Sequence, residues 1–73
     1  MAKNARKKPV FCVRFREARQ KRGLSLGQLG KILGIAQTHV ARIESGNMPR
    51  GCDRIVAIAD ALDVSLDWLF GRT

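Results

Sequence analysis

The stretch LSLGQLGKILGIAQTHVARIESG, Leu24–Gly46, constrains the fold more than any other feature, because its residues fit two short helices joined by a tight turn. Ser25 is suited to cap a helix that begins near Leu26, and Gln28 completes a capping box three residues later. Gly34 ends this helix after about two turns. Its apolar face is predicted to comprise Leu29, Ile32 and Leu33. The helix can therefore bury one side only.

The second helix of this pair is predicted to end at Ser45 or Gly46. The helical spacing of Ala36, Val40 and Ile43 predicts its buried stripe. Steps of about 100° per residue leave a polar face on the other side and put Glu44 at the edge of the buried side. That polar face comprises Thr38, Arg42 and Ser45, flanked by Gln37 and Ala41 on one side and by His39 on the other. Such a face is compact enough to enter a groove.

The remaining sequence predicts three further helices and no strand, so the expected fold class is all-α. They are Val10–Arg22, a helix from about Cys52 to Leu62, and a short helix Leu66–Phe70 capped by Ser65. The buried positions expected in the first are Phe11, Val13 or Cys12, Phe15 and Ala18. Those expected in the second are Cys52, Ile55, Val56, Ile58, Ala59 and Leu62.

A chain of 73 residues with a formal charge of +8 is expected to form one small domain with a marginal core. We predict a basic flexible arm over residues 1–9 and a folded domain over residues 10–73. The charge favours a polyanionic partner, although a solubilising tail would look the same. An anionic membrane surface fits less well, because the basic segment lacks an aliphatic face, and no apolar run approaches the roughly 20 residues of a membrane span.

Metal binding and catalysis are not expected. Cys12 and Cys52 are isolated thiols, and His39 is the only histidine, which is too few ligands for a zinc site. Both cysteines fit small buried apolar residues. We expect no cofactor and no enzymatic activity, because neither a catalytic cluster nor a core large enough for a cleft is visible. The lack of a secretory signal indicates the cytoplasm.

With these residues in place, the chain resembles the Cro and phage-repressor type of helix-turn-helix proteins. With the five predicted helices numbered in chain order, the resemblance rests on LSLGQLGKILGIAQTHVARIESG for helices 2 and 3 and on IADALDVSLDWL for helices 4 and 5. It implies a compact five-helix lambda-repressor-like domain in which helix 3 lies in the DNA major groove and helix 2 crosses the backbone.

The resemblance also implies a set of DNA-contacting residues, each of which could alternatively be only a solvated side chain. Gln37, Thr38 and Arg42 occupy the usual base-reading positions, and their chemistry suits adenine, thymine and guanine. His39 and Ser45 are secondary candidates. For the DNA backbone, the free N–H groups of helix starts and loops favour Asn47 and Arg50, and more weakly Lys31, Arg14 and Lys21. Nothing in the sequence fixes where the basic residues of the arm would bind.

The family commonly pairs an arginine on helix 1 with a glutamate on helix 3, and Arg19 and Glu44 stand at those positions. Three residues depart from the family pattern. Ala36 replaces a capping serine or threonine, and Leu26 replaces a polar residue at the start of helix 2. Asp63 replaces a glycine after helix 4, so it must adopt an unusual backbone geometry or shift the turn.

The sequence therefore predicts a sequence-specific transcriptional regulator that binds double-stranded DNA, a repressor or controller of prokaryotic or phage origin associated with the nucleoid. Repressors of this kind usually bind as two-fold dimers. The expected interface residues, which could instead be ordinary core residues, are Trp68, Leu69 and Phe70. The alternative is an antitoxin-type module that binds a protein partner such as a toxin and regulates itself through DNA.

Overall fold

The computed structural model of the chain describes residues 8–72. Residues 1–7 of the predicted arm and Thr73 lie outside the described residues. Within the described part the structure has five α-helices and no strand: α1 Val10–Lys21, α2 Leu26–Leu33, α3 Gln37–Glu44, α4 Cys52–Leu62 and α5 Leu66–Leu69. Each predicted helix is present, and the ends differ by at most one or two residues. The predicted all-α, five-helix fold is confirmed.

α1 forms one side of the core through a stripe that repeats at helical spacing. Phe11, Cys12, Phe15 and Ala18 are buried, whereas Val13 is 42% exposed, so Cys12 takes the position that the sequence left open between them. The rings of Phe11 and Phe15 stack with their centroids 6.4 Å apart. α1 packs against both α3 and α5, and thereby connects these two helices.

α2 and α3 are the most closely packed pair of helices, and the residues around their turn explain why. The capping box at the start of α2 is formed: the Gln28 backbone N–H donates to Ser25 Oγ at 3.1 Å, and the Ser25 N–H donates to Gln28 Oε1 at 2.8 Å. Gly34 ends the helix in the left-handed conformation at φ 73°. A Cβ on Gly30 would lie 2.7 Å from the Ile35 carbonyl oxygen. Gly30 therefore allows the turn itself to fold back onto α2.

α4 and α5 close the core, joined by a turn at Asp63. Asp63 adopts the left-handed conformation at φ 56°, the unusual geometry that its replacement of a glycine predicted. Ser65 caps α5 by accepting from the Trp68 backbone N–H at 3.0 Å. The buried residues are Ile58, Ala59 and Leu62 on α4 and Leu69 on α5.

Four apolar predictions are wrong: Ala36, predicted in the buried stripe of α3, is exposed just before that helix, and three residues on outer helical faces are exposed as well. Cys52 and Val56 are exposed, Val56 by 45%, and Ile32 is 55% exposed. Cys52 and Val56 are four residues apart and share one flank of α4. The helices α2 and α5 pack against the other side of α4, where Ile58 and Leu62 are buried. The apolar stripe of α4 is thus wider than the surface of α4 that α2 and α5 cover.

The core draws side chains from all five helices and has no buried polar residue among those described. Its large members, apart from the two phenylalanines of α1, are Leu29, Val40, Ile43, Ile58, Leu62 and Leu69. Burial of one such side chain contributes about 1.5–3 kcal/mol. Because α3 supplies Val40 and Ile43, its orientation on the domain is fixed by the core.

Over residues 8–72, no helix is long and apolar enough to cross a membrane.

Candidate nucleic-acid interface

The outer face of α3 carries the residues predicted to read DNA bases. Val40 and Ile43 are buried to 1% exposure or less, and this burial turns Gln37, Thr38 and Arg42 outward, where all three are exposed. His39 and Ser45 are exposed as well. The structure thus presents amide, hydroxyl and guanidinium groups on one short helix, a set of hydrogen-bonding groups that matches the edges of base pairs.

The two ends of α3 differ in how their backbone groups are satisfied. At its start Ala36 provides no side-chain cap. At its end the Arg42 carbonyl accepts hydrogen bonds from Ser45 Oγ at 2.8 Å, Asn47 Nδ2 at 3.3 Å and the Asn47 backbone N–H at 3.1 Å. Ser45 and Asn47 therefore have a structural role in ending the helix, in addition to the DNA contacts proposed for them from sequence.

A shallow open groove of about 880 Å³ continues from α3 onto the following loop and α4. We call it the basic groove; its lining residues are His39, Arg42, Gly46, Asn47, Met48, Pro49, Arg50 and Arg54. Three of these are arginines, and none of the described residues that line it is acidic. A concave surface with this charge attracts phosphate, and it opens directly beside the exposed face of α3.

Arg54 in this groove was not predicted as a site residue. It stands in the first turn of α4 and is half-buried, so the sequence pattern treated it only as a polar position in an apolar helix. The signal that could have identified it is its place just after the loop Asn47–Gly51, because starts of helices near a recognition helix supply phosphate contacts.

The other predicted backbone contacts are not gathered in the basic groove. Lys31 is exposed on the last turn of α2. Lys21 lines a separate, largely apolar groove beside Trp68. Arg14 lies over the Trp68 ring, with its guanidinium carbon 4.9 Å from the ring centroid, and donates to the Trp68 carbonyl. Arg14 thereby connects α1 to α5.

The described part of the basic arm begins beside the C-terminal end of α3. A Cβ built on Gly46 would lie 3.6 Å from Cγ of Lys8. Burial raises the pKa of the Cys12 thiol. The positive charge of Lys8 lowers that pKa by a smaller amount, so the pKa is raised overall. The remaining cations assigned to the arm, Lys3, Arg6 and Lys7, lie outside the described residues.

Arg19 and Glu44 are brought together by the packing of α1 against α3. Arg19 Nη2 donates to Glu44 Oε1 at 3.3 Å, and its Nε donates to the other carboxylate oxygen. The side chains are only 13% and 11% exposed. Arg19 also donates to the Leu24 carbonyl at 2.7 Å. This pair connects α1, the turn before α2 and the last residue of α3, so it supports the position of the exposed face of α3.

The three residues expected at a dimer interface are placed differently from one another. Leu69 is fully buried in the core, so the expectation that its side chain lies at an interface is wrong. Its side chain is the one from α5 that is buried in the core cluster. Trp68 is half-buried against Arg14, and Phe70 is 40% exposed. Phe70 also contacts Phe11, with ring centroids 5.1 Å apart.

Comparisons with known proteins agree with this geometry. A sequence profile described as helix-turn-helix matches residues 15–69. The chain is similar to the uncharacterized HTH-type transcriptional regulator YobD of Bacillus subtilis, at 31% identity over 64 residues, and it covers 57% of that protein's length. It also resembles the solved structure of the restriction-modification controller protein C.AhdI from Aeromonas hydrophila. That match has a TM-score of 0.75 and 32% identity, and covers 85% of this chain and 94% of the other.

Within residues 8–72, no group of three or more potential metal ligands was found.

Proposed function

Because the chain belongs to the helix-turn-helix family of the Cro and phage-repressor type, a family of DNA-binding regulators, we propose that it is a sequence-specific transcriptional regulator that places α3 in the DNA major groove. The observation that carries this proposal is the orientation of α3. Burial of Val40 and Ile43 leaves Gln37, Thr38 and Arg42 on an exposed face next to a groove that contains three arginines.

The chemistry of the exposed side chains divides the proposed contacts into two kinds. Gln37 can pair bidentately with adenine and Arg42 with guanine, and Thr38 offers a hydroxyl and a methyl group. Arg50 and Arg54, with Asn47, are suited to phosphates at the side of the major groove, and His39, Ser45 and Lys31 are secondary contacts. The first kind reads sequence and the second fixes the orientation of the domain on DNA.

Substitution of Arg42 tests this assignment. DNA sites are first selected from random sequences with the wild-type protein, and binding of Arg42→Ala to selected and scrambled sites is then measured by gel shift. We expect a loss of about 1–3 kcal/mol on the selected site and relaxed preference at one base pair.

Arg72→Ala is the matched control, because it also removes one positive charge but its side chain is 77% exposed and does not line the basic groove. It is expected to keep the base preference of the wild type. The proposal fails if Arg42→Ala discriminates between the sites as well as the wild type does.

We further propose that the chain acts as a repressor or controller in the prokaryotic cytoplasm and binds its site as a two-fold homodimer. One such domain reads few base pairs, and two copies spaced by about 34 Å fit successive major grooves. Phe70 and Trp68, with the exposed Val10 and Leu66, offer an apolar surface at the α5 end of the domain.

Sedimentation analysis of the wild type, Phe70→Ala and Trp68→Ala tests the dimer. Both variants are expected to shift the protein toward monomer at concentrations at which circular dichroism shows them folded. Ile32→Ala removes an apolar side chain that is 55% exposed on a different helix, so it should leave the association unchanged. A wild type that sediments as a monomer both alone and on a selected site would rule the dimer out.

A further inference from the structure

Gly27 is a glycine whose presence the backbone does not explain. It lies in the first turn of α2, and it is not among the glycines with positive φ. Alanine forms helices better than glycine, so a glycine at such a position lowers the stability of the helix. Gly34 at the end of the same helix has the left-handed conformation that favours glycine, and Gly30 faces the turn backbone. Gly27 has neither reason.

The neighbour of Gly27 across the turn is the side chain of Gln37. A Cβ built on Gly27 would lie 3.3 Å from Gln37 Oε1 and 4.0 Å from its Cδ. Ser25 Oγ is also 4.0 Å from that position. The carboxamide of Gln37 therefore lies against the surface that the missing side chain leaves open at the start of α2. A contact of 3.3 Å is tight enough that even a methyl group would require the carboxamide to move by a few tenths of an ångström.

The orientation of this carboxamide matters because base recognition depends on direction. A glutamine reads adenine by donating from its amide nitrogen and accepting at its amide oxygen, and this requires both groups to meet the base edge together. A side chain that already rests in one orientation loses less conformational freedom on binding. Gln37 is otherwise exposed on α3, and its carboxamide lies in the space that the absence of a side chain on Gly27 leaves open.

From this contact we infer that Gly27 is a positioning residue for Gln37 and thereby a determinant of base preference in DNA recognition. The inference rests on the proposed function, in which Gln37 reads a base. It assigns to the first turn of α2 an effect on sequence preference that is exerted through Gln37. A side chain at position 27 displaces the carboxamide and changes which base pair is preferred at the one position that Gln37 reads.

The test uses a double-mutant cycle on the full chain with wild type, Gly27→Ala, Gln37→Ala and the double variant. Site selection from random DNA with wild type and Gln37→Ala identifies the base pair whose preference depends on Gln37. Competition binding then measures each protein on the selected site and on the three alternatives at that pair. The base pair that depends on Arg42 provides an internal control.

Gly27→Ala should reduce discrimination at the Gln37 pair by about fivefold or more, which is the lower end of what a bidentate base contact supplies. It should leave discrimination at the Arg42 pair within about twofold of wild type, since one methyl beside Gln37 does not alter the Arg42 contact. In the Gln37→Ala background the same substitution should have no further effect on discrimination. The melting temperature should stay the same or rise, because alanine favours the helix.

Ile32→Ala is the matched control on α2, because Ile32 is exposed and lies five positions further along the same helix. It should preserve the preference at the Gln37 pair. As a readout that does not require DNA, nuclear magnetic resonance should show the side-chain amide signals of Gln37 shifted in Gly27→Ala and unshifted in Ile32→Ala.

Four results overturn the inference. Unchanged discrimination in Gly27→Ala, with a selective wild type, removes the positioning role and leaves the proposed function intact. An equal loss of affinity in both backgrounds assigns the effect to contact between α2 and the DNA backbone. A wild type that selects no site, or a Gln37→Ala variant with unaltered preference at every base pair, overturns the base-reading role of Gln37 and the inference together.

Discussion

At the scale of single residues, Arg19 and Glu44 are the charged residues whose substitution should lower the stability of the fold most. Both side chains are nearly shielded from solvent, and Arg19 also donates to the Leu24 carbonyl. Removal of either partner leaves the other charge shielded and unpaired. We expect Arg19→Ala and Glu44→Ala each to lower the free energy of unfolding by about 3 kcal/mol, measured by urea denaturation.

Arg16 provides the control for this prediction. Its Nε lies 4.0 Å from the same Glu44 carboxylate, but its side chain is 56% exposed. Solvent screens such a contact, so Arg16→Ala should change the free energy of unfolding by less than about 1 kcal/mol. If all three variants unfold at the same urea concentration as the wild type, the pair does not stabilise the fold.

Residue patterns predicted the orientation of α3 but not which side chains meet around it. The exposed positions of Gln37 and Arg42 follow from the spacing of Val40 and Ile43 along one helix. The place of Arg54 beside Arg42 depends on how α4 packs, and the contact between Gly27 and Gln37 depends on the turn. Such contacts between elements have no periodic signature in sequence.

At the scale of elements, α3 begins without a side-chain cap, as α1 and α4 do. Ala36 has φ −69° and ψ 150°, the extended geometry in which a serine side chain can cap a helix. In α2 and α5 serine caps are present at the equivalent position. Ala36→Ser should therefore raise the free energy of unfolding by at most about 1 kcal/mol, since Oγ can accept from the His39 backbone N–H, which already donates to the Ala36 carbonyl at 3.0 Å.

Ala41→Ser is the control within the same helix, because it introduces the same side chain at an interior position where it caps nothing. It should leave the free energy of unfolding unchanged or lower it by up to about 0.5 kcal/mol. Urea denaturation of both variants measures the difference. Equal stabilities of Ala36→Ser and Ala41→Ser would show that the start of α3 gains nothing from a side-chain cap.

Element ends were predictable because caps and glycines act locally, whereas burial was predictable only where a neighbour exists. Ser25, Gly34 and Ser65 mark the ends of helices through contacts within a few residues of themselves. Cys52 and Val56 satisfy the apolar pattern of α4 equally well but are exposed. Leu69 shows the reverse, since its place in the core depends on how a four-residue helix docks.

At the scale of the whole molecule, the formal charge of +8 is carried by a domain with a basic groove and by a basic segment before it. Lys8, the first described residue, lies beside Gly46 at the edge of that groove. A polyanion bound on α3 would thus lie near the positive charges of the basic groove and near that of Lys8 in the basic segment. Affinity for DNA of any sequence should depend on this arrangement, because each phosphate contact releases counterions.

Substitution of Lys3, Arg6, Lys7 and Lys8 by glutamine tests the contribution of the basic segment without changing its length. The variant should bind selected and scrambled sites more weakly by a similar factor and keep the base preference of the wild type. The slope of log affinity against log salt concentration should fall by about 0.9 for each of these cations that contacts a phosphate. Titrations at several salt concentrations measure both quantities. An unchanged slope would show that the segment makes no phosphate contact, and a loss confined to the selected site would show that it reads sequence.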